Sequence, residues 1–449
     1  MKVIKRHKVS LILTGILSLS AMTASAQMTL NDCLIYARDH AHANRINRIE
    51  TEKAAADKRI TLSGVMPYIE YNMSGNMSFG RNIDPGTNTY DNKKTISSGF
   101  GIGMSLPLFD GLVNINNIHA SEVARQRLGK KADIEQDKIS LQVIASFYNV
   151  FYCRSLVDQM KENFQRDSLK LVSVEKEERV GTKSEADVAE IRALLASDEY
   201  ELTNQRNLLD KAYLRLRSDM GMQPSEEALD LIEPELEHVG AAKGLAGMAK
   251  EGGFIHPEIE EAALALRESR YNLRAAKGAF SPKISFNAGI STSYYRMIGD
   301  NTVHPGFGRQ WRDNMGQYLG LTFSLPLFTG LSDVNRLKKA RLNVQQRQEQ
   351  LEQTKFRIEK ESAEALLDYE SALKECKAAE ARLAAEQQAF RAVSRKFELG
   401  AASAIDYYTG NARLSVAKAT LTGKRIQMIV NRITLGYYNG EKLIKEQDI

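Results

Sequence analysis

Two short stretches contain residue types that could do chemistry. Asp39–His42, with the sequence DHAH, combines a carboxylate with two imidazoles, and both groups are metal ligands. No His/Cys cluster follows it later in the chain, so we interpret it as a chance match. Gly99–Gly103, with the sequence GFGIG, has closely spaced glycines like those of phosphate-binding loops. It lies inside an alternating strand pattern, which favours small residues that face a pore.

The remaining composition favours no catalytic site. Asp and Glu together number 56, and they are spread over charged helix faces without forming a recognisable catalytic pair. Cys33, Cys153 and Cys376 are too few and too scattered for a disulfide framework, so we expect them to be packing residues. No nucleophile elbow, metal cluster or cofactor loop occurs. We therefore predict that the protein is not an enzyme and needs no cofactor.

The N-terminus has the features of a secretory signal peptide, residues 1–26. A basic start precedes the apolar stretch Val9–Met22, and Ala24–Ala26 forms an A-x-A cleavage motif. We expect the mature chain to begin at Gln27 rather than to keep a membrane anchor. Without the four basic residues of the signal, 57 basic residues face 56 acidic ones, so the composition does not favour nucleic-acid binding.

The chain contains an internal duplication. The pentapeptide SLPLF occurs at Ser105–Phe109 and again at Ser324–Phe328, an offset of 219. The same offset relates Gly101 to Gly320, Gly111 to Gly330, Leu112 to Leu331, Gly181 to Gly400, Ser184 to Ser403, and Asp187 to Asp406. Self-similarity over this range predicts two copies of one structural unit. We assign residues 27–221 to the first repeat, 222–253 to a linker with some packed structure, and 254–449 to the second repeat.

Four segments of about ten residues alternate apolar and polar side chains, the pattern of a strand with one apolar face. They are residues 68–79, 95–109, 283–294 and 318–328. A soluble sandwich would show the same alternation, but these strands form two separated hairpins, 67–109 and 282–328, which cannot bury such faces alone. A bilayer could cover them if a barrel closes, and closure takes about eight strands. Copies of the chain would have to complete it.

The rest of each repeat is predicted to be helical. First helices are expected at Leu30–Val65 and Pro257–Phe280, and polar hairpin loops at Gly80–Ser98 and Met297–Gly316. Leu112–Val180 and Leu331–Leu399 lack proline, are rich in helix-forming residues and would each extend about 100 Å. Return helices follow at Asp187–Met220 and Asp406–Tyr437, so each repeat contains one long helical hairpin, with its tip near residue 181 or 400.

Taken together, the doubled β-hairpins, the doubled helical hairpins, the SLPLF junctions and the G-x-x-S-x-x-D tips resemble the TolC-type outer-membrane efflux duct family. The resemblance covers nearly all of the predicted mature chain. It implies an α plus membrane-β fold in a homotrimer: four transmembrane strands per protomer complete a twelve-stranded barrel, and the long coiled-coil hairpins form a periplasmic α-barrel. Pro107 and Pro326 then mark the strand-to-helix junctions, which agrees with the lack of an N–H donor in proline.

The resemblance also implies partners. The family's tips dock a periplasmic adaptor (membrane fusion protein), which links the duct to an inner-membrane transporter of the RND, ABC or MFS type. Val180-Gly181-Thr182 and Leu399-Gly400-Ala401 match those tips. The glycines also suit a turn between helices, and the two roles are compatible. Outer-membrane lipid is a further expected partner, and nucleic acid is not.

A second implied feature is a ring of carboxylates at the pore entrance. Asp406 matches the ring position, and Asp187 matches an acidic partner in the network that closes the entrance. Three carboxylates in a constriction would attract cations and hold water. A capping role for Asp406 is an equal alternative. The chain departs from the family pattern at Thr409, Ala402 and Phe397, where a second ring aspartate, an arginine and a tyrosine would stand, which puts the closing lock in doubt.

We therefore predict a passive export duct in the outer membrane of a Gram-negative-type cell, driven by an inner-membrane transporter through an adaptor. The duct would belong to a tripartite efflux or a type I secretion system. The alternative is a structural periplasmic coiled-coil protein without a pore.

Overall fold

The computed structural model describes residues 27–84, 88–223, 229–233, 256–299 and 305–444. The predicted signal peptide lies outside these residues, as does most of the predicted linker. In the described part of the linker, Leu231 forms a parallel bridge with Met28, whose N–H donates to the Asp230 carbonyl at 2.9 Å. This pairing ties the segment between the repeats to the start of the described chain.

Six strands lie within the described residues. They are β1 (Tyr68–Ser78), β2 (Arg81–Asp84), β3 (Thr89–Asn92), β4 (Lys94–Phe109), β5 (Lys283–Ile298) and β6 (Gly316–Ser324). Four form one antiparallel sheet in the order β1-β4-β5-β6, and β2 pairs with β3 separately. The four alternating strands are therefore confirmed. The expected separation of the two hairpins is wrong, because β4 pairs with β5 along nearly its whole length and joins them into one sheet.

The register places the apolar side chains of all four strands on one face. Tyr71 lies opposite Ile102, which in turn lies opposite Ile290, and Ala288 lies opposite Leu319. The other face carries small and polar residues, including Asn72, Gly101, Ser291 and Thr322. Much of the apolar face is exposed; Leu321, for example, is 70% exposed. A continuous apolar surface of this kind indicates that something other than water covers it in the working protein.

Both outer strands of the sheet have an open edge. Within the described residues β1 pairs only with β4, and β6 pairs only with β5. An unpaired edge presents free backbone donors and acceptors and is a template for pairing with another strand. The sheet is therefore open to further strands at both ends.

The two SLPLF copies end their strands differently. Pro107 lies within β4 opposite Ser285, beyond the last pairing of β4 with β1, and a register irregularity follows it before Phe109. We expected the second copy to continue as strand to Phe328, but β6 ends at Ser324, so Pro326 lies outside any strand. The reason is the partner strand: β5 begins at Lys283, directly opposite Ser324, and offers no backbone beyond it.

Eight helices lie within the described residues. They are α1 (Leu30–His40), α2 (His42–Ser63), α3 (Val113–Arg179), α4 (Glu185–Met220), α5 (Pro257–Gly278), α6 (Phe307–Asp313), α7 (Ser332–Glu398) and α8 (Ala404–Tyr438). The expected single first helix is wrong, because the extended backbone of Ala41 divides it into α1 and α2. The long helices are confirmed, at 67 residues each. None of the described helices is both long and apolar enough to cross a membrane.

The duplication is visible in the backbone. α3 and α7 each follow a leucine in the left-handed conformation, Leu112 with φ 64° and Leu331 with φ 63°. Each leucine is preceded by a glycine with positive φ, Gly111 or Gly330. Two consecutive left-handed residues are uncommon outside glycine, so their recurrence at equivalent positions shows that both repeats turn from sheet to helix in the same way.

The helices pack as two hairpins, α3 with α4 and α7 with α8, while α5 lies against both α3 and α7. The largest apolar cluster joins the two repeats, because it includes Cys33, Phe147 and Leu216 from the first and Ile426 from the second. All three cysteines are free and buried. The helical part is thus held together by a core that both repeats share.

The segments expected to be polar loops contain regular structure. β2 and β3 lie in the first, and the Tyr295 hydroxyl donates to the Ile83 carbonyl at 3.1 Å. α6 lies in the second, where the Gln310 side chain accepts from the Tyr295 N–H at 3.0 Å and donates to its carbonyl at 2.9 Å. Gln310 thereby satisfies backbone groups of β5 at Tyr295, beyond Ser291, where the pairing with the start of β6 stops. Trp311 packs on Phe100, with ring centroids 4.8 Å apart.

Candidate functional site

The helical hairpins turn at two tips, which we call the first tip (Val180–Ser184) and the second tip (Leu399–Ser403). Gly181 and Gly400 adopt φ of 82° and 70°. The next N–H in each case donates back to the helix, Thr182 to the Glu177 carbonyl at 2.9 Å and Ala401 to the Lys396 carbonyl at 2.7 Å. This is the Schellman motif, which satisfies the last carbonyls of a helix. A Cβ would meet nothing within 4 Å at either position, so lack of space is not the reason for a glycine here. The reason is the positive φ, which residues with a side chain rarely adopt.

The two candidate aspartates cap the helices that leave the tips. Asp187 Oδ2 accepts from the Ser184 N–H at 2.9 Å and the Ser184 hydroxyl at 2.8 Å. Asp406 Oδ2 accepts from the Ser403 N–H at 3.1 Å and the Ser403 hydroxyl at 2.8 Å. Each serine hydroxyl accepts in return from the N–H of its aspartate, at 3.2 Å and 3.1 Å. Both are capping boxes, which stabilise helix N-termini.

These hydrogen bonds also keep both carboxylates charged. The backbone and hydroxyl bonds from Ser184 lower the pKa of Asp187, and the hydroxyl and backbone bonds from Ser403 lower the pKa of Asp406. Each aspartate bonds within its own tip, and the structure records no hydrogen bond between the two. A capping role for Asp406 is therefore what the structure shows. The pore-ring role and the closing role of Asp187 stay predictions.

Apolar side chains are exposed at both tips. Val180 is 75% exposed and Leu399 is 76% exposed. Beside them, a groove of about 280 Å³ between α4 and α8 is lined by Ile191, Leu194 and Ile405, among others. Exposed apolar residues at the ends of charged helices are a feature of binding surfaces.

Phe397 joins the two hairpins just inside the tips. Its side chain is fully buried in a cluster with Val174 and Ile191 of the first hairpin and Tyr407 of the second. The Lys183 ammonium lies 4.2 Å from the centroid of its ring, within the range of a cation–π contact. Where the family pattern would place a tyrosine hydroxyl, this chain therefore has an apolar contact between the hairpins.

A buried polar network connects the hairpins further from the tips than Phe397 does. Asp167 on α3 is fully buried, and it accepts from the Asn411 side chain at 3.2 Å and from the Tyr407 hydroxyl at 3.4 Å. The Arg166 guanidinium lies 3.4 Å from the same carboxylate and donates to Asn411 Oδ1. A buried carboxylate costs little only when donors surround it. The donors here come from both hairpins, so the contact depends on their relative position.

Asp198 on α4 adds a second carboxylate to this network. Burial is the main cause that raises its pKa to about 7, and the neighbouring Asp167 carboxylate adds to the shift. Its Oδ2 is buried and makes no hydrogen bond within the described residues. Two neighbouring carboxylates cannot both ionise at low cost, so Asp198 keeps its proton well above the usual range and loses it around pH 7.

Sequence reasoning missed Asp167, Asp198 and Asn411. The resemblance places the closing lock at the positions of Ala402, Phe397 and Thr409, where this chain departs from the family pattern. Of these, Phe397 is nevertheless buried between the hairpins, while Thr409 is exposed. The only available signal was a set of polar residues on otherwise helical faces. Solvated faces carry the same residue types, so this signal does not distinguish a buried network from a surface.

The Asp39–His42 stretch does not form a compact cluster. His40 ends α1 and His42 begins α2, so the two imidazoles belong to different helices. The His40 ring stacks on the Tyr36 ring with centroids 4.0 Å apart, and the Asp39 carboxylate pairs with Arg38 Nε at 3.1 Å. Among the described residues, no group of three or more His, Cys, Asp and Glu side chains is arranged to hold a metal ion.

Comparison with known proteins gives consistent matches. Residues 255–441 match the model of the family described as "Outer membrane efflux protein". Outer membrane protein TolC of Salmonella enteritidis is 25% identical over 276 residues, which cover 60% of this chain and 54% of TolC. The cation efflux system protein CusC of Escherichia coli is 22% identical over 394 residues, covering 87% of this chain and 82% of CusC. The chain thus spans about half the length of the first relative and most of the second.

Solved structures show the same fold. A crystal structure of CusC superimposes with a TM-score of 0.78 at 19% identity, covering 93% of each chain. The outer membrane protein VceC of Vibrio cholerae gives a TM-score of 0.75 at 16% identity, covering 92% of this chain and 96% of VceC. At this identity the superpositions show the fold of helical hairpins and sheet.

Proposed function

The comparisons confirm the resemblance to TolC-type outer membrane efflux proteins, and from this premise we propose that the chain forms the outer-membrane duct of an export system. The premise places the protein in the outer membrane, with a large helical part in the periplasm. One structural observation supports the duct most directly: an exposed apolar face runs across a four-stranded sheet that is open at both edges. Lipid would cover the face, and strands from other copies would close the edges.

The proposed assembly is a homotrimer. Four strands from each of three copies would give a barrel of twelve, above the roughly eight that closure requires. β1 of one copy would pair with β6 of the next, and the polar face, with Asn72 and Thr322, would line the lumen. The two repeats, 27–221 and 254–449, would contribute one hairpin of strands and one of helices each, following a signal peptide at 1–26.

The tips are the proposed contact with the rest of the system. Val180-Gly181-Thr182 and Leu399-Gly400-Ala401 would dock a periplasmic adaptor, and their exposed Val180 and Leu399 supply the apolar surface for it. An inner-membrane transporter of the RND, ABC or MFS type would drive export through that adaptor. The duct itself would do no chemistry, in a tripartite efflux or a type I secretion system.

Asp406 is proposed as the carboxylate ring at the periplasmic entrance, with Asp187 of the other hairpin as the acidic partner in the network that closes it. The support is that Asp406 is exposed and carries a charge stabilised by its own cap. Three such charges near a common axis would attract cations. Pro107 and Pro326 are proposed as the junctions where strands leave the membrane.

The experiment that tests the duct is extraction and reconstitution of the full-length protein. We expect a detergent-soluble trimer that produces single-channel currents in a planar lipid bilayer. A protein that is extracted by buffer alone, runs as a monomer and gives no current would instead be the periplasmic coiled-coil protein without a pore.

Adaptor docking needs a separate experiment, because changing Gly181 or Gly400 would also strain the turns. Val180→Glu and Leu399→Glu keep the glycines and place a charge on the exposed apolar surface. We expect both to reduce crosslinking to the adaptor while the trimer and its currents persist. Thr409→Glu, on an exposed position past the second tip, is the matched control. Undiminished crosslinking in both tip variants would rule out docking through these residues.

A further inference from the structure

A groove lined by cationic side chains lies where the sheet meets the helices. Its volume is about 610 Å³, and four elements line it: the start of α3, the end of α5, the start of β5 and the start of α7. Lys283, Arg336 and Lys339 bring positive charge to it, and among the described residues that line it only Asp110 is acidic. Neither the tips nor the membrane face includes this groove.

The nearby acids are already engaged. Asp110 Oδ2 accepts from the Asn114 N–H at 2.8 Å, where it satisfies a free donor at the start of α3. Asp333 is buried and pairs with Arg336 at 2.7 Å, which holds the guanidinium at the groove. Among the residues that the structure describes, no carboxylate lies within 4.0 Å of the ammonium of Lys283 or Lys339. Two ammonium groups therefore line one groove without an ion-pair partner among the described residues.

Neutral donors complete the lining. Asn117, Asn272 and Asn343 line the same groove from three different helices. A carboxamide donates through its NH₂ group, and an ammonium donates three hydrogen bonds without accepting any. A ligand that only accepts hydrogen bonds and carries negative charge fits such a set, because bonds between charged groups are about twice as strong as neutral ones. An anion would also relieve the repulsion between the lysines.

The register indicates the side of the wall on which the groove opens. Ile284 lies opposite Phe323 on the apolar face of the sheet, so Lys283, one residue earlier, belongs to the polar face. If the protein is the duct proposed above, the polar face lines the lumen. The place of the groove in the duct and its role in export rest on that function, whereas the binding of an anion does not. The groove would then lie in the inner wall, just below the barrel.

We propose that this groove binds small polyvalent anions that carry phosphate groups, and that the wall of the duct thereby engages anionic solutes during export. Lys283 and Lys339 bind the anion, Arg336 is held by Asp333 as the third cation, and the asparagines donate neutral hydrogen bonds.

The test uses the full-length protein in detergent at low salt, with inorganic pyrophosphate as the probe in isothermal titration calorimetry. The double variant Lys283→Gln/Lys339→Gln removes two exposed charges without touching the core. We expect pyrophosphate to bind the wild-type protein and the double variant to bind it at least tenfold more weakly. Lys338→Gln, the neighbouring residue on α7 outside the groove, is the control and should bind as the wild type does. No binding to the wild type, equal binding to the double variant, or equal loss in the control would overturn the proposal.

Reconstitution separates this inference from the proposed function. In a planar bilayer under a KCl gradient, the double variant should shift the reversal potential toward cation selectivity, and Lys338→Gln should not. A protein that never conducts would refute the duct while leaving the calorimetric result intact. A conducting protein whose double variant keeps the wild-type affinity for pyrophosphate would refute the groove and leave the duct standing.

Discussion

Asn411 donates a hydrogen bond to Asp167 across 3.2 Å, and this bond links a helix of the second repeat to a helix of the first. The carboxylate it reaches is fully buried. Because ionised groups are costly to bury without donors, the position of α8 against the first hairpin and the charge of Asp167 stabilise each other.

Asn411→Leu should loosen this contact. The change removes one donor and leaves Asp167 less compensated, a loss of about 1–3 kcal/mol for a buried acceptor. We expect the amides in the first turns of α8 to exchange with deuterium about tenfold faster or more, measured by mass spectrometry at fixed pH. Thr409→Leu, on the same helix and exposed, should leave exchange unchanged. Protection equal to the wild type in Asn411→Leu would show that the bond contributes nothing to the contact.

Asp198 should make the hairpin contact depend on pH. Its pKa in the folded protein is raised to about 7 from an ordinary value of 3.8, so the folded state holds a proton that the unfolded state releases. The contribution of protonated Asp198 to the stability of the folded state is complete below about pH 4. It is lost as the pH rises through 7, because a second charge then appears beside Asp167. Arg166 on α3 opposes the rise in the pKa of Asp198, and Tyr407 on α8 donates to the neighbouring Asp167.

Spin labels on two exposed positions can measure this effect. Leu169→Cys on α3 and Val416→Cys on α8 lie on opposite sides of the contact, and the native cysteines are buried. We expect a narrow distance distribution in samples frozen from pH 5 and a broader one from pH 8. Asp198→Asn, which cannot ionise, should give the narrow distribution at both values. A distribution independent of pH in the wild type would contradict the raised pKa of Asp198 as a cause of loosening.

Gly278→Ala should disturb the contact between α5 and α3. A Cβ at this position would lie 2.3 Å from the Gly111 carbonyl oxygen, so the backbone itself would have to move. Overpacking of this kind costs about 1–3 kcal/mol. Gly129→Ala is the control, because nothing lies within 4 Å of its Cβ and alanine favours a helix interior by about 1 kcal/mol. Thermal unfolding should therefore move in opposite directions for the two variants, and a shared direction would contradict the close approach.

Asp406→Ala tests the carboxylate ring against capping alone. Both Asp406 and Asp187 occupy the N3 position of a capping box and make the same bonds to the N-cap serine, so each alanine variant weakens one helix N-terminus in the same way. Only Asp406 is proposed to face the pore. We expect Asp406→Ala to lower the cation selectivity of single channels, while Asp187→Ala keeps the selectivity of the wild type. Identical traces for wild type and Asp406→Ala at low and high salt would leave the residue as a cap only.

Local patterns in the sequence predicted the elements well. Alternation at period two located the strands, and the offset of 219 located both tips. The long helices expected at Leu112–Val180 and Leu331–Leu399 lie at Val113–Arg179 and Ser332–Glu398. These features could be predicted because each depends on neighbours in the chain: a glycine supplies positive φ, a serine caps the next helix, and an alternating segment has one apolar face.

By itself, the sequence determined the four strands of the main sheet, the long helices, where the hairpins turn and that the unit is repeated; it did not predict β2, β3 and α6 in the segments expected to be loops. Only the tertiary structure decided that Lys94 pairs with Ile298, that Phe397 and Asp167 lie buried between the hairpins, and that Lys283 and Lys339 share a groove. Local periodicity shows which face of an element is apolar, but it does not say which other element meets that face. A polar residue on a helix has the same local sequence signature whether it meets water or a second carboxylate, and the packing of distant helices decides between them.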